Sequence, residues 1–239
     1  MRLSLVCCMN RPEVARSCLL ASPDLCAEHR PPVLMLQGMG SAAEGLARGS
    51  AWCSTRWLVL VHQDVWLPAG WVDQMSAALA DLEARVPHAV VAGVYGVGAD
   101  GGHKGYVQDR GQWIGAPVAA PAEVRSLDEL LLAVRMDAGL SITAGLGWHL
   151  YGTDVCLQAQ SRGGVAVVVD APCEHRATLL RMATNAQEWQ ALSQVAGAFN
   201  ASAAQLAKAW PQAMPVQTTV CEVGPGRVLE LPCVPGGCV

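Results

Sequence analysis

His62 and Asp64 are the two residues whose types and spacing most clearly suit chemistry. They follow directly after the apolar run 57–61, and Pro68 interrupts the chain shortly after them. Side chains two positions apart in an extended chain point to the same side, so this imidazole and this carboxylate can converge on one ion. The pair suits a divalent ion such as Mn²⁺ that bridges phosphates. The alternative is structural, with Asp64 capping the following turn and His62 satisfied in the core.

His175 is a third candidate ligand, because it follows the β-branched run 165–170 and a short turn. In a parallel sheet it would emerge at the same edge as Asp64, where open α/β sheets bind their ligands. Alone, His175 is better read as an exposed turn residue. Together with His62 and Asp64 it can complete a metal site.

Asp154 lies at the predicted start of a helix, close to the rings of Trp148, His149 and Tyr151. One reading makes it an N-cap, and the other makes it a general base that deprotonates an acceptor hydroxyl. Both roles coexist only if Thr153 caps the helix and leaves the Asp154 carboxylate free. The neighbouring rings can stack on a sugar, so we expect them to contact an acceptor.

The elements that must position these residues alternate between strands and helices along residues 3–175. This order predicts an α/β fold, a mainly parallel sheet with helices on both faces. The run 57–61 has almost no polar alternation, as expected of a strand buried on both faces. We predict one domain over residues 1–200, with residues 201–239 forming a C-terminal helical extension and a Pro-, Gly- and Cys-containing tail that pack on it.

Two further helix predictions follow from local patterns. A capping box at Ser126–Glu129 predicts that a helix begins there and includes Leu130, Leu131 and Val134. After the last predicted strand, residues 179–199 and 201–210 are expected to form two separate helices.

The composition narrows the function classes. The chain has 239 residues, a net charge of −4 and no basic cluster, which argues against a nucleic-acid partner. No stretch reaches the roughly 18 apolar residues of a membrane span, and the N-terminus lacks a signal-peptide pattern, so we expect a cytoplasmic protein. The ten cysteines include no Cys-x-x-Cys pair, so reduced thiols are expected, although Cys233 and Cys238 weakly suggest a redox pair or metal clip.

Several stretches together carry a family resemblance. Residues 61–71 read Val-His-Gln-Asp-Val, then Pro, then Gly-Trp; residues 151–159 read Tyr-Gly-Thr-Asp-Val-Cys-Leu-Gln-Ala; residues 169–175 read Val-Asp-Ala-Pro, then His. In this order and spacing they resemble a family-2-type glycosyltransferase. More narrowly, they are similar to the bacterial subgroup grouped with the streptomycin-biosynthesis glycosyltransferase-like proteins.

The resemblance implies a GT-A fold, in which a nucleotide-sugar donor lies across the carboxyl edge of the sheet together with Mn²⁺ or Mg²⁺. Asp64 would bind the metal–diphosphate with His62 and His175 as co-ligands, and Asp154 would activate the acceptor. The residues implied to contact the donor are Cys8, Asn10, Gln37, Gln63 and Asp64.

The implied activity is transfer of a sugar from a nucleotide-sugar to an unknown acceptor, usually with inversion at the anomeric carbon. A non-catalytic nucleotide- or sugar-binding member of the same fold is the alternative. A metal-binding or redox protein built on the cysteines is a third reading.

Overall fold

The computed structural model describes residues 3–176, 186–227 and 229. In chain order the strands β1 to β15 are Leu3–Met9, Val33–Gln37, Trp57–Val61, Val65–Trp66, Ala89–Gly93, Tyr95–Val97, His103–Asp109, Gln112–Gly115, Ala122–Val124, Ser126–Leu127, Leu131–Arg135, Val165–Val168, Glu174–His175, Val216–Gln217 and Glu222–Val223. The helices α1 to α6 are Pro12–Ser17, Pro23–Cys26, Ala42–Trp52, Trp71–Arg85, Tyr151–Ser161 and Ala186–Ala209. Short 3₁₀ turns lie at Leu19–Ala21, Met136–Ala138 and Pro211–Ala213.

The main sheet has the strand order β2-β1-β3-β11-β5-β12-β9. Strands β2, β1 and β3 pair in parallel, as do β5 and β12, whereas β11 and β9 run antiparallel to their neighbours. The strand β3 is buried along its whole length at the middle of this sheet. Its continuous apolar pattern follows from having no solvent-facing side.

Helices cover both faces of the main sheet, and the side chains of β3 alternate between the two resulting cores. Leu58 and Leu60 belong to a core shared with α3, α5 and α6. Trp57, Val59 and Val61 belong to a core shared with α4. The predicted α/β sheet flanked by helices is therefore confirmed, but the sheet is mixed rather than mainly parallel, because three of its six strand pairings are antiparallel.

A second sheet positions one of the candidate ligands. Its order is β10-β6-β7-β13-β4, with β8 added beside β7. The short strand β13 pairs with β4 on one side and with β7 on the other. Because β4 follows the end of β3 by only a few residues, this sheet brings a late segment of the chain back to the carboxyl end of β3.

The predicted helix beginning at Ser126 is wrong. That segment forms β10, a turn, and then β11, which lies between β3 and β5 in the centre of the main sheet. The Asp128 carboxylate does accept a hydrogen bond from the Leu130 backbone N–H at 3.1 Å, but it closes a turn rather than a helix end. Burial of Leu131–Arg135 between two strands outweighs the local capping signal.

The C-terminal helices also differ from the prediction. A single helix, α6, runs continuously through the expected break at residue 200. Asn200 lies inside this helix rather than at its end. Its side-chain amide donates to the carbonyl of Leu229 and accepts from the N–H of Leu229. The expected helical residues 179–185 lie outside the described part of the chain, as do Cys233 and Cys238. The cysteines within the described residues are free thiols.

No helix among the described residues is both long enough and apolar enough to span a bilayer.

Candidate active site

The side chains of His62, Asp64 and His175 meet at the carboxyl end of β3. One potential ligand atom from each lies within 4.8 Å of the other two. The His175 Nε2 atom is 3.6 Å from Asp64 Oδ2, and the imidazole centroids of the two histidines are 6.2 Å apart. Residues that are distant in the sequence are thus brought together as the strand positions predict.

Backbone pairing explains how this cluster, hereafter the His-Asp-His cluster, is assembled. His62 follows β3, and its N–H donates to the carbonyl of Leu130 at 3.0 Å. In the second sheet His175 lies directly opposite Val65, and the Arg176 N–H donates to the Asp64 carbonyl at 2.8 Å. The cluster is therefore held by main-chain hydrogen bonds on both sides rather than by flexible loops.

The three side chains of the His-Asp-His cluster shift one another's pKa values. Burial acts to raise the pKa of Asp64, but its bond to His175 and the two neighbouring imidazoles hold that pKa below its usual value. Burial acts to lower the pKa of His175, yet the facing carboxylates of Asp64, Asp128 and Asp109 raise it overall. Burial dominates at His62 and lowers its pKa, so this imidazole is neutral at neutral pH.

A cleft of about 460 Å³ opens above the cluster. Its lining comes from the ends of β1 and β3, the residues that follow β1, β2 and β3, the start of α3, and the segment that leads into the first residue of α5: Cys8, Met9, Asn10, Gly38, Met39, Ala42, Leu60, Val61, His62, Gln63, Asp64, Trp148, His149 and Tyr151. This volume lies within the range of small-molecule sites. It also lies where an α/β sheet is expected to bind its ligand.

Most of the expected donor-contacting residues line this cleft. Cys8, Asn10, Gln63 and Asp64 are among its walls, but Gln37 is exposed and does not line it. Gly38 and Met39, which follow Gln37, line the cleft instead, because the chain turns at Gly38, whose φ is +75°. The second strand therefore contributes its following loop to the cleft rather than its last side chain.

Gln63 ties two walls of the cleft together. Its Oε1 accepts hydrogen bonds from the backbone N–H groups of Asn10 and Arg11 at 3.1 and 3.0 Å. Its Nε2 donates to the Asn10 side chain at 2.6 Å. The loop after β1 is thereby fixed to the end of β3, which gives Gln63 a structural task within the site.

Trp148, His149 and Tyr151 lie in the cleft wall but differ in exposure. The Trp148 side chain is 42% exposed, whereas Tyr151 is buried and its hydroxyl lies 2.7 Å from His62 Nε2. His149 is half-buried, packs against Phe199 of α6, and has its pKa lowered by burial. Trp148 and His149 thus remain available to a ligand, while Tyr151 supports the His-Asp-His cluster.

Asp154 is not placed to act as a general base. Its side chain is 0% exposed and is absent from the lining of the cleft. Oδ1 accepts from Thr143 Oγ1 and Trp210 Nε1, and Oδ2 accepts from the Thr143 N–H and Gln158 Nε2, at 2.6 to 3.1 Å. All of these bonds point into the protein core. The expectation that Asp154 activates an acceptor conflicts with this geometry.

Thr153 does not cap the helix either. Its hydroxyl is buried and lies 2.8 Å from that of Ser126. The Glu129 side chain lies beside the start of α5, where the backbone N–H groups of Gly152, Leu150 and Tyr151 act to lower its pKa against the larger opposing effect of burial. Leu150 is the residue that precedes the helix, with a φ of +65°.

Reasoning from the sequence assigned no role at the site to Asp109 or Glu129. Asp109 Oδ1 lies 3.0 Å from His175 Nδ1, because β7 pairs with β13. Glu129 was assigned to a helix cap, but its side chain lies beside the start of α5. No motif spacing links Asp109 with His175, so only the strand pairing reveals this contact.

The donor set of the cluster fits a divalent transition metal. Two imidazole nitrogens and one carboxylate oxygen suit Mn²⁺ better than Mg²⁺, because Mg²⁺ prefers oxygen ligands throughout. The separation of at most 4.8 Å between ligand atoms lets one ion contact all three. We therefore regard the cluster as a candidate metal site.

Comparisons with known proteins give a partial picture. No model of a known protein family matches the chain. A curated protein of Fuscovulum blasticum, named "ATP synthase subunits region ORF 6", is 35% identical over 133 residues, which cover 52% of this chain and 52% of that protein. The alignment therefore spans about half the length of the curated relative.

Solved structures with a similar fold include GalNAc-T7 with UDP, GalNAc and Mn²⁺, at 12% identity and a TM-score of 0.49, covering 73% of this chain and 44% of that one. The mannosyltransferase PcManGT from Pyrobaculum calidifontis, in complex with GDP-Man and Mn²⁺, is 9% identical with a TM-score of 0.47, covering 90% and 76%. TarS 1–349 of S. aureus is 11% identical with a TM-score of 0.46, covering 89% and 73%. All three TM-scores lie below 0.5, and all three sequences are at most 12% identical to this chain.

Proposed function

We propose that the chain is a GT-A glycosyltransferase of the family-2 type, similar to the streptomycin-biosynthesis glycosyltransferase-like subgroup, which transfers a sugar from a nucleotide-sugar to an acceptor hydroxyl. The observation that carries this proposal is the position of the His-Asp-His cluster. His62 and Asp64 line the cleft at the carboxyl edge of the sheet, and His175 lies beside them, with its Nε2 3.6 Å from Asp64 Oδ2. A cation held there faces the space that a diphosphate would occupy.

Asp64, His62 and His175 would hold the divalent metal, with Mn²⁺ preferred because two of the ligands would be imidazoles. The metal, when bound, neutralises the negative charge that develops on the departing diphosphate. Asp64 contributes the anionic ligand, and its lowered pKa keeps it ionised at neutral pH.

The nucleoside end of the donor is assigned to the part of the cleft lined by Asn10, Gly38 and Met39. These residues follow β1 and β2, two adjacent parallel strands of the main sheet. A base can slide between the Met39 side chain and the loop that Gln63 holds in place. The fixed loop lowers the entropy cost of ordering the site around a ligand.

His149 takes the role of general base. It lines the cleft beside the exposed ring of Trp148, and burial lowers its pKa from the ordinary value of 6.5, so it is neutral at pH 7. The acceptor oxygen forms a bond to the anomeric carbon while the bond from that carbon to the diphosphate oxygen breaks. The acceptor proton passes to an imidazole nitrogen of His149, and the diphosphate leaves with the bonding electron pair.

A single displacement with inversion is the outcome that this arrangement favours. Among the residues described as lining the cleft, Asp64 is the one carboxylate, and in this proposal it would be a metal ligand. A double displacement needs a second, free nucleophile beside the anomeric carbon. Within the described lining, no other carboxylate is offered to the sugar.

A thermal-shift screen tests the proposal. We expect a UDP-, GDP-, CMP- or dTDP-sugar to raise the melting temperature in the presence of Mn²⁺ and to lose most of that effect in an Asp64→Asn variant. A ligand at 100 times its Kd stabilises the folded state by about 2.7 kcal/mol, which such a screen detects. If no nucleotide-sugar stabilises the wild-type protein under any metal condition, the proposal fails.

One observation favours a second candidate, a nucleotide-sugar-binding protein without turnover. The carboxylate that the resemblance assigns to acceptor activation, Asp154, is sequestered in the core. Donor binding without release of the free nucleotide would support this candidate. Donor binding with metal-dependent release would support the transferase.

A further inference from the structure

Tyr151 contacts His62, one of the proposed metal ligands. Its side chain is only 2% exposed, and its hydroxyl lies 2.7 Å from His62 Nε2. The same hydroxyl donates to the backbone carbonyl of Glu129 at 3.1 Å.

These two contacts determine where the proton of His62 lies. A hydroxyl carries one hydrogen, and a carbonyl oxygen can only accept. With the Tyr151 proton directed to Glu129, His62 Nε2 must donate to the hydroxyl oxygen. A neutral imidazole has one N–H, so Nδ1 is left with the lone pair that a metal ion requires.

His175 shows the same arrangement through a different partner. Its Nδ1 lies 3.0 Å from Asp109 Oδ1, and an ionised carboxylate can only accept, so this nitrogen carries the hydrogen. The remaining nitrogen, Nε2, is the one that lies 3.6 Å from Asp64. Histidines that bind metals commonly donate their second N–H to a fixed acceptor in this way.

The position of Tyr151 is itself firmly held. The carbonyl of Glu129 accepts from the Tyr151 hydroxyl at 3.1 Å, and the Glu129 side chain lies beside the first turn of α5. The next residue, Gly152, packs so closely against β10 that an added Cβ would lie 2.3 Å from the Leu127 carbonyl oxygen. The first turn of α5 therefore cannot slide, and the hydroxyl stays fixed beside His62.

We infer that Tyr151 is a positioning residue for the metal site: its hydroxyl holds His62 as the Nε2–H tautomer and reserves Nδ1 for the cation. This inference rests on the metal-binding part of the proposed function and deepens it. It does not depend on which sugar or acceptor is used.

The affinity for Mn²⁺ alone, measured by electron paramagnetic resonance of the free ion, tests the inference without any nucleotide. Tyr151→Phe removes only the hydroxyl, and we expect Mn²⁺ binding 10–100-fold weaker than in the wild type. Tyr95→Phe is the matched control, because it removes a hydroxyl that lies 2.8 Å from His103, outside the cluster. We expect the control to bind Mn²⁺ as the wild type does.

A second readout needs no variant and covers the case in which Tyr151→Phe does not fold. Nitrogen-15 spectra of the histidine side chains in the wild-type protein should show His62 as the Nε2–H tautomer. Finding the Nδ1–H tautomer, or unchanged Mn²⁺ affinity in folded Tyr151→Phe, would overturn the inference while leaving the transferase proposal intact. If the wild type binds no Mn²⁺, the inference and the metal role both fail, although metal-free donor binding would still be measurable.

Discussion

The indole Nε1 of Trp210 donates a hydrogen bond to Asp154 Oδ1 at 2.7 Å. Trp210 follows the C-terminal helix α6, and Asp154 lies in the first turns of α5. The same carboxylate also binds Thr143 through two hydrogen bonds. A residue whose sequence context suggests catalysis is therefore the point at which a loop and two helices are joined.

Asp154→Asn is expected to lower the free energy of unfolding without changing the rate of the reaction. The asparagine NH₂ group cannot accept from the donors that now face one carboxylate oxygen, which leaves buried donors unsatisfied at a cost of roughly 1–3 kcal/mol. Chemical denaturation measures this loss, and turnover per folded molecule should stay close to that of the wild type. Trp210→Phe, which removes one donor to the same carboxylate, should produce a smaller loss. A large fall in turnover of folded Asp154→Asn at unchanged stability would restore the role of general base.

His149→Gln is expected to lower turnover by about 10²–10⁴, the range typical of a lost general base. Glutamine keeps a polar group of similar reach but cannot take up a proton at neutral pH. The Kd of the donor and the Mn²⁺ affinity should not change, because His149 lies outside the His-Asp-His cluster. Steady-state kinetics measures the turnover, and calorimetry measures the donor Kd and the Mn²⁺ affinity. A variant that weakens donor binding and leaves the maximal rate unaffected would show that His149 only contacts the ligand.

The carboxyl of Glu129 should make stability depend on pH. Burial is the main cause that raises the pKa of Glu129 to about 8 from its ordinary value of 4.5, and the charge of Asp128 adds to this effect. Between these values the folded state keeps a proton that the unfolded state has released, so stability falls as pH rises, by roughly 1.4 kcal/mol per pH unit from this group. Below about pH 4.5 the effect is absent.

Glu129→Gln provides the check, since the amide oxygen can still accept from the start of α5 while nothing titrates. Melting temperatures measured from pH 5 to pH 8 should decline less steeply in the variant than in the wild type, with the largest gain near pH 8. Parallel pH profiles for the two proteins would show that Glu129 is ionised in the folded state.

Gly152→Ala and Gly197→Ala should act in opposite directions although both glycines lie in helices. An added Cβ at Gly152 meets the Leu127 carbonyl at 2.3 Å, so β10 and α5 must separate, at roughly 1–3 kcal/mol or more. Gly197 in α6 has no neighbouring atom within 4 Å of an added Cβ, so alanine should stabilise the helix by about 0.5–1 kcal/mol. Equilibrium unfolding of both variants tests the pair, and equal effects would contradict the close packing of α5 on β10.

The apolar strand β3 and the polar residues at its end were predictable from the sequence. The run 57–61 has the pattern of a doubly buried strand, and His62 and Asp64 follow at the edge where such sheets bind ligands. The convergence of His175 was also expected. It is reached through β13 in the second sheet, which pairs with β4, rather than through the end of the main-sheet strand alone.

The errors arose where tertiary packing overrides a local signal. Ser126 and Glu129 fit a capping box, but the apolar residues after them form β11, the strand that pairs with both β3 and β5. The Asp154 carboxylate is held in the core by hydrogen bonds from Thr143 and Trp210, which lie 11 and 56 residues away in the sequence. Sequence spacing indicates which face of a helix a residue occupies, but it does not indicate whether that face lies toward a cleft or toward the core.

Release of free nucleoside diphosphate is the measurement that tests the central claim most directly. The nucleotide-sugar that stabilises the protein is incubated with the wild type and with Asp64→Asn, each with Mn²⁺ or with a chelator, and the free nucleotide is quantified. We predict release by the wild type with Mn²⁺, with both the chelator and the Asp64→Asn substitution reducing it at least a hundredfold. Release that is equal in all four samples, or absent from the wild type with Mn²⁺, would contradict the assignment of the His-Asp-His cluster as the metal–diphosphate site of a glycosyltransferase.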